Sequence, residues 1–177
     1  MKYLLEGQET DRLLFRKIDP SDFGDWLKFF EDPNTSLHWV EEKESSLIAC
    51  KKWYQKQQDR YERDKGGMNA LIEKSTGRLV GHCGLLVQSV EGVTELEIAY
   101  SLLPEFWKKG YACEAAVHCK EYAFHHNFSD SLISIISLTN IPSQKVALKN
   151  GMTLEKETTY NKNRVYIYRI VKSSTNK

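Results

Sequence analysis

With 177 residues, 41% of them hydrophobic, the chain can bury roughly two thirds of its unfolded surface around one core, so one domain over residues 1–177 is expected. Its 25 basic and 24 acidic side chains leave a formal charge of +1 and no tract of like charge, which speaks against nucleic acid or an anionic membrane as a partner. The four cysteines, Cys50, Cys83, Cys113 and Cys119, show no CxxC pair and no zinc-finger spacing, and no signal peptide or membrane span is legible, so a reduced, cytoplasmic protein without a metal site is the expectation.

The segment "DRLLFRKID" reads as a strand stopped at Pro20, followed by a helix in "PSDFGDWLKFFED" with Phe23, Trp26, Leu27 and Phe30 on one face. After a polar loop, "PNTSLHWVEEK", a second helix runs from Ser45 and is expected to end at Gly66 and Gly67. "MNALIEK", "RLVGHCGLLVQS" and "TELEIAYSLL", separated by turns at "STG" and "VEG", predict an antiparallel meander that stops at Pro104. "GYACEAAVHCKEYAFHH" then sets Ala112, Ala115, Ala116, Cys119, Tyr122 and Ala123 on one small-residue helical face, and "SLISIISL" is a short apolar strand. Asn140 caps a short helix that ends at Gly151, and two strands around an "NKN" turn complete the order β-α-α-β-β-β-α-β-α-β-β.

Chemistry concentrates at "WKKGYACEA". A strand, a tight loop holding Gly110 and a helix start bring unpaired N–H groups and the positive end of a helix dipole together, with Lys108 and Lys109 adding charge. The same features describe an ordinary helix start with solvated lysines. No GxxxxGK[ST] or GxGxxG spacing is present, which speaks against a P-loop NTPase or a Rossmann dehydrogenase. On "TELEIAYSLL" strand alternation puts Glu95 and Glu97 on one face, where a carboxylate could accept the proton of an amine or simply meet solvent. Cys113, at the helix start, is a candidate thiolate, but no histidine or aspartate is spaced to serve as its base; His125 and His126 suit a helix end or solvent.

The stretch "ELEIAYSLLPEFWKKGYACEAAVHCKEYAF", followed after a strand by "NIPSQKVALKNGM", resembles the GNAT superfamily of N-acetyltransferases, and within it the RimJ/RimL-like group that acetylates α-amino groups of ribosomal proteins and other amines. The resemblance covers nearly the whole chain. It implies an α/β (α+β) fold: one mixed, mostly antiparallel sheet with a splayed parallel strand pair, flanked by about four helices. It implies acetyl-CoA as co-substrate, with its pyrophosphate on the backbone of the turn matching Q/R-x-x-G-x-G/A, here Trp107, Lys108, Lys109, Gly110, Tyr111 and Ala112, followed by Cys113. Lys108 departs from the group's small residue and is expected to affect the geometry of the turn.

By the same resemblance, Tyr100, Ser101 and Leu102 border the pantetheine, and Glu97 matches a glutamate facing the acceptor channel, as base or amine-positioning group. Ala99 stands where the family has glycine at a local bulge. Asn140 and Ser143 match N-x-x-S, with the asparagine reaching the cofactor and the serine a proton donor to the departing thiolate; a helix cap is the alternative for Asn140. Trp39, Glu41 and Glu42 border the acceptor site by family analogy, or are a core anchor and an exposed helix start. The implied reaction is direct transfer in a ternary complex to an amine-bearing small molecule or a protein N-terminus. A non-catalytic acyl-CoA sensor of the same fold is the alternative, and the group's frequent homodimers extend to this chain as an expectation.

Overall fold

A computed structural model describes residues 2–38 and 44–173. Strand β1 (Leu13–Arg16) leads through a single 3-10 turn to α1 (Phe23–Glu31) and α2 (Ser46–Glu62). The meander β2 (Gly66–Glu73), β3 (Leu79–Val90) and β4 (Val93–Leu102) follows, then α3 (Tyr111–His125), β5 (Ser131–Ser137), α4 (Ile141–Lys149), β6 (Thr153–Tyr160) and β7 (Asn163–Val171). Trp39, Glu41 and Glu42 lie outside the described residues.

The seven strands form one sheet in the order β1-β2-β3-β4-β5-β7-β6, antiparallel except for the β4–β5 pair. The β3–β4 and β6–β7 hairpins each turn on two residues with positive φ, Glu91-Gly92 and Asn161-Lys162, which matches the right-handed strand twist. One expected boundary is corrected: Gly66 and Gly67 do not stop α2, which ends at Glu62, but open β2. They are needed there because the strands run close. A Cβ on Gly66 would lie 2.0 Å from the Leu85 carbonyl oxygen, and one on Gly84 would lie 2.1 Å from that of Gly67.

The helices divide between the two faces of the sheet. Tyr61 and Gln57 of α2 bond β2, and His82 of β3 meets Trp26 of α1 edge-on and Trp53 of α2 at a tilt, so these helices cover one face. α3 covers the other. Its buried Ala115, Ala116, Cys119 and Ala123 have little volume, which lets the helix settle until the Cys119 and Cys83 sulfurs are 3.5 Å apart. α4 docks beside it, held by the Asn150 amide donating to the Ala116 carbonyl and by Lys120 donating to the Asn150 carbonyl.

Beyond β5 the sheet curls. Glu91, at the β3–β4 turn, accepts from Lys156 at 2.5 Å and from Thr158, both on β6 at the far edge of the sheet. Val90, Ile133, Ile135, Val165 and Ile167 form a second buried cluster beneath that arch. Among the described residues no helix is long and apolar enough to cross a membrane.

Candidate active site

The β4–β5 pair determines the shape of the site. The two strands are in register only at Glu97 and Ile133, and past that point they separate into a V. At the apex the Ser134 hydroxyl, fully buried, donates to the Ile98 carbonyl at 2.8 Å where a ladder bond would otherwise continue. β4 keeps unbroken register with β3 from Val93 to Leu102, so the bulge expected at Ala99 is absent and the splay comes from β5 leaving. Leu103 donates to Val80 on the β3 side; by strand alternation Ser101 also turns its backbone groups to β3, while Tyr100 and Leu102 turn theirs into the gap. The Leu102 carbonyl is taken by the Trp107 indole at 2.8 Å.

At the mouth of the gap, β4 leads through Pro104–Phe106 to the turn before α3. Gly110 is the N-cap of α3 with φ +86° and offers no side-chain cap, and Lys108 also has positive φ, +61°. The N–H groups of Lys108, Lys109, Gly110, Tyr111, Ala112 and Cys113 find no acceptor among the described residues. They form a run of free donors at a helix N-terminus, which is what a phosphate requires. Lys108 therefore preserves the turn by adopting a backbone conformation that glycine would take without strain.

The turn is braced from the segment just before β1. Arg12 donates to the Lys109 carbonyl at 3.0 Å, pairs with Glu114 and lies 4.3 Å over the Tyr111 ring. Glu114 also accepts from Thr10 at 2.6 Å; burial pushes its pKa up, but its bonds with Thr10 and Arg12 outweigh that and hold it below the usual value. Tyr111 donates to Glu73 and packs on Phe106. The lysine side chains are exposed, with Lys109 turned over the Phe106 ring at 5.3 Å. Glu114 is the glutamate of "GYACEA"; its place one helical turn past Gly110 was the available signal for this brace.

At the apex, Glu97 is only 7% exposed, so its carboxylate is not solvated on an open sheet face. Gln88 donates to its Oε2 at 2.7 Å. Burial raises its pKa, opposed by the Gln88 bond, by the Ile135 N–H on the facing strand, and by the charges of Arg60 and Lys56. The Gln88 carbonyl oxygen in turn accepts from Arg60 at 2.8 Å and from Tyr160 at 3.0 Å. Gln88, Arg60 and Tyr160 were not singled out by sequence; a polar Gln88 directly after the apolar run Leu85-Leu86-Val87 was the one hint. Glu95, on the same face as expected, is bound by Arg169 at 2.6 and 3.0 Å.

Across the gap, Asn140 Oδ1 accepts from the Ser143 N–H at 3.1 Å, so the asparagine caps α4. The Tyr100 hydroxyl donates to the Ser143 carbonyl at 2.7 Å, tying β4 to the first turn of α4. Burial raises the pKa of Tyr100, so it stays a neutral donor. The Ser143 hydroxyl and the Cys113 thiol take no hydrogen bond among the described residues. Nor does any group of three His, Cys, Asp or Glu side chains there have the arrangement of a metal site.

Comparison with known proteins agrees with this geometry. The acetyltransferase (GNAT) domain model matches residues 12–153. YkkB of Bacillus subtilis (strain 168) is 32% identical over 154 residues, covering 83% of this chain and 85% of its own. An acetyltransferase from Agrobacterium tumefaciens str. C58 superposes with a TM-score of 0.78 over 96% of each chain at 22% identity. RimL, a ribosomal L7/L12 α-N-protein acetyltransferase solved with coenzyme A, superposes with a TM-score of 0.74 over 94% of this chain and 97% of its own, at 16% identity. The chain with this splayed sheet and open donor turn belongs to the acetyltransferase (GNAT) domain family, whose members use acetyl-CoA.

Proposed function

We propose that the protein moves the acetyl group of acetyl-CoA to a primary amine by direct attack in a ternary complex, with residues 1–177 working as one cytoplasmic domain. The observation that carries this is the arrangement along one gap: a turn of six unengaged N–H groups at its mouth and a buried carboxylate at its apex. From Glu97 to Leu102, β4 spans about 17 Å, room for an extended arm carrying two amides. The backbone groups of Tyr100 and the N–H of Leu102, aimed into the gap, suit those amides, with Ser101 holding β4 to β3. The donors from Lys108 to Cys113 suit a pyrophosphate.

Bound acetyl-CoA supplies a thioester open to attack by an amine. An ammonium has no lone pair, so Glu97, directly or through a water, takes the proton that the amine must lose. Its raised pKa makes it a stronger base than an exposed glutamate. Asn140 orders the first turn of α4, which presents the Ser143 hydroxyl as a proton donor toward the departing sulfur. RimL's amine is a protein N-terminus, which supports an amine acceptor here.

Release of CoA measured over N-terminal peptides, amino acids, polyamines and aminoglycosides tests the reading. Turnover of at least one class is expected. Calorimetric binding of CoA without turnover of any would overturn it in favour of a sensor.

A further inference from the structure

The sheet face that carries Glu97 opens into a groove of about 420 Å³ between α2 and the β3–β4 hairpin. Four cations line it, Lys56, Arg60, Arg63 and Lys65, against the single carboxylate of Asp59. None of the four is in an ion pair among the described residues. Nearby carboxylates that could have neutralised them are engaged elsewhere, Glu95 with Arg169 and Glu91 with Lys156, and Asp59 accepts from Gln55 at 2.9 Å.

Arg60 is fixed in place. It donates to the Lys65 and Val87 carbonyls at 3.1 and 3.2 Å and to Gln88 at 2.8 Å, while its Nε is buried without a partner. The guanidinium and the Glu97 carboxylate hold opposite ends of one Gln88 carboxamide, so the cationic groove and the apex of the gap are adjacent. A concave surface with several unpaired charges of one sign concentrates the opposite charge and repels its own.

Resting on the acetyltransferase reading above, we propose that the acceptor is a primary amine that also carries a carboxylate, with the amine at Glu97 and the carboxylate toward Lys56, Arg63 and Lys65. Arg60, committed to Gln88, supplies fixed positive charge beside it. A polyamine or aminoglycoside would bring several positive charges into a groove where four cations face the single carboxylate of Asp59. A free amino acid and a peptide with acidic residues next to its N-terminus share the required chemistry.

The test is kcat/KM of the full chain with saturating acetyl-CoA for matched probes: amino acids and their C-terminal amides, short peptides whose second and third residues are glutamate or lysine, and spermidine. The carboxylate-bearing member of each pair should be favoured at least tenfold, and the preference should shrink at high salt. Amino acids outpacing acidic peptides would identify the free form, and the reverse order the peptide; either supports the proposal. In Arg63→Glu/Lys65→Glu, KM for the best acidic acceptor should rise about tenfold or more, with CoA affinity by calorimetry unchanged. Spermidine or lysine peptides turned over as well as or better than acidic probes would overturn the anionic acceptor and leave acetyl transfer standing. Tight CoA binding with no acceptor turned over would overturn both.

Discussion

Gln88 and Glu97 meet side chain to side chain across β3 and β4, the buried carboxylate accepting from the carboxamide at 2.7 Å. The bond holds the carboxylate in place, while burial keeps its charge costly.

Glu97→Gln should therefore separate activity from stability. Loss of a positioned base costs about 10²–10⁴ in rate. Because the folded state raises the glutamate's pKa, this group favours folding below its unfolded pKa and loses that contribution as pH rises, so near pH 7 its charge is a burden. The variant should melt at the same temperature as wild type or higher, and wild-type kcat/KM should climb with pH around a midpoint above the ordinary carboxylate range. A variant that keeps its rate and melts lower would make Glu97 structural.

Lys108, at φ +61°, gives a second test. A left-handed conformation costs an L-residue about 1–2 kcal/mol, and glycine returns about 0.5–1 kcal/mol of that through the freedom of the unfolded chain. Lys108→Gly should leave stability equal or raise it by up to about 1.5 kcal/mol, with calorimetric CoA affinity within a few-fold of wild type. Gly110→Val meets no crowding, since its nearest neighbour would be Arg12 at 3.4 Å, but it cannot hold φ +86° cheaply. CoA affinity should fall more than tenfold. A large loss in Lys108→Gly with little in Gly110→Val would show that side-chain charge, not backbone shape, holds the phosphates.

Asn140 and Ser143 make opposite predictions. Asn140→Ala removes a cap and should cost about 1 kcal/mol in urea denaturation. Ser143→Ala removes a hydroxyl without a hydrogen-bond partner and should leave stability unchanged while lowering kcat. Unchanged kcat in Ser143→Ala would mean that the thiolate departs unassisted.

His82 carries the clearest pH signature in the fold. It is fully buried between Trp26 and Trp53 with neither ring nitrogen bonded, and burial, with a lesser push from Arg16, lowers its pKa to about 3. Its neutral form stabilises the protein fully above the unfolded pKa near 6.5, and that contribution is lost as pH falls toward 3. Between pH 6.5 and 5 the loss should be about 1.6 kcal/mol by urea denaturation. His82→Leu should flatten that slope by nearly one proton; an identical slope would show that His82 is not held neutral.

The element order was legible because each segment states its period and its stops: alternation in "TELEIAYSLL", a 3-4 spacing of small residues in α3, and asparagine and glycine at the ends of α4. Gly66 and Gly67 misled because glycine marks a helix stop and a close strand crossing alike, and only the approach of the Leu85 carbonyl distinguishes them. Glu97 was singled out as a candidate through its resemblance to family members. Its surroundings were not, because Gln88, Arg60 and Tyr160 come from β3, α2 and β6 and converge only once the sheet has curled. Bracing of the turn by Arg12 was hidden for the same reason, since 97 residues separate it from Lys109.

The Ser134–Ile98 bond marks where the slot between β4 and β5 ends. A backbone zipper stops wherever register runs out, and moving that point would require sliding a whole strand. Here the stop is one hydroxyl, hung on β5 and independent of its register with β7. The depth of the slot can therefore change by substitution at a single position, with every strand pairing in the sheet left as it is.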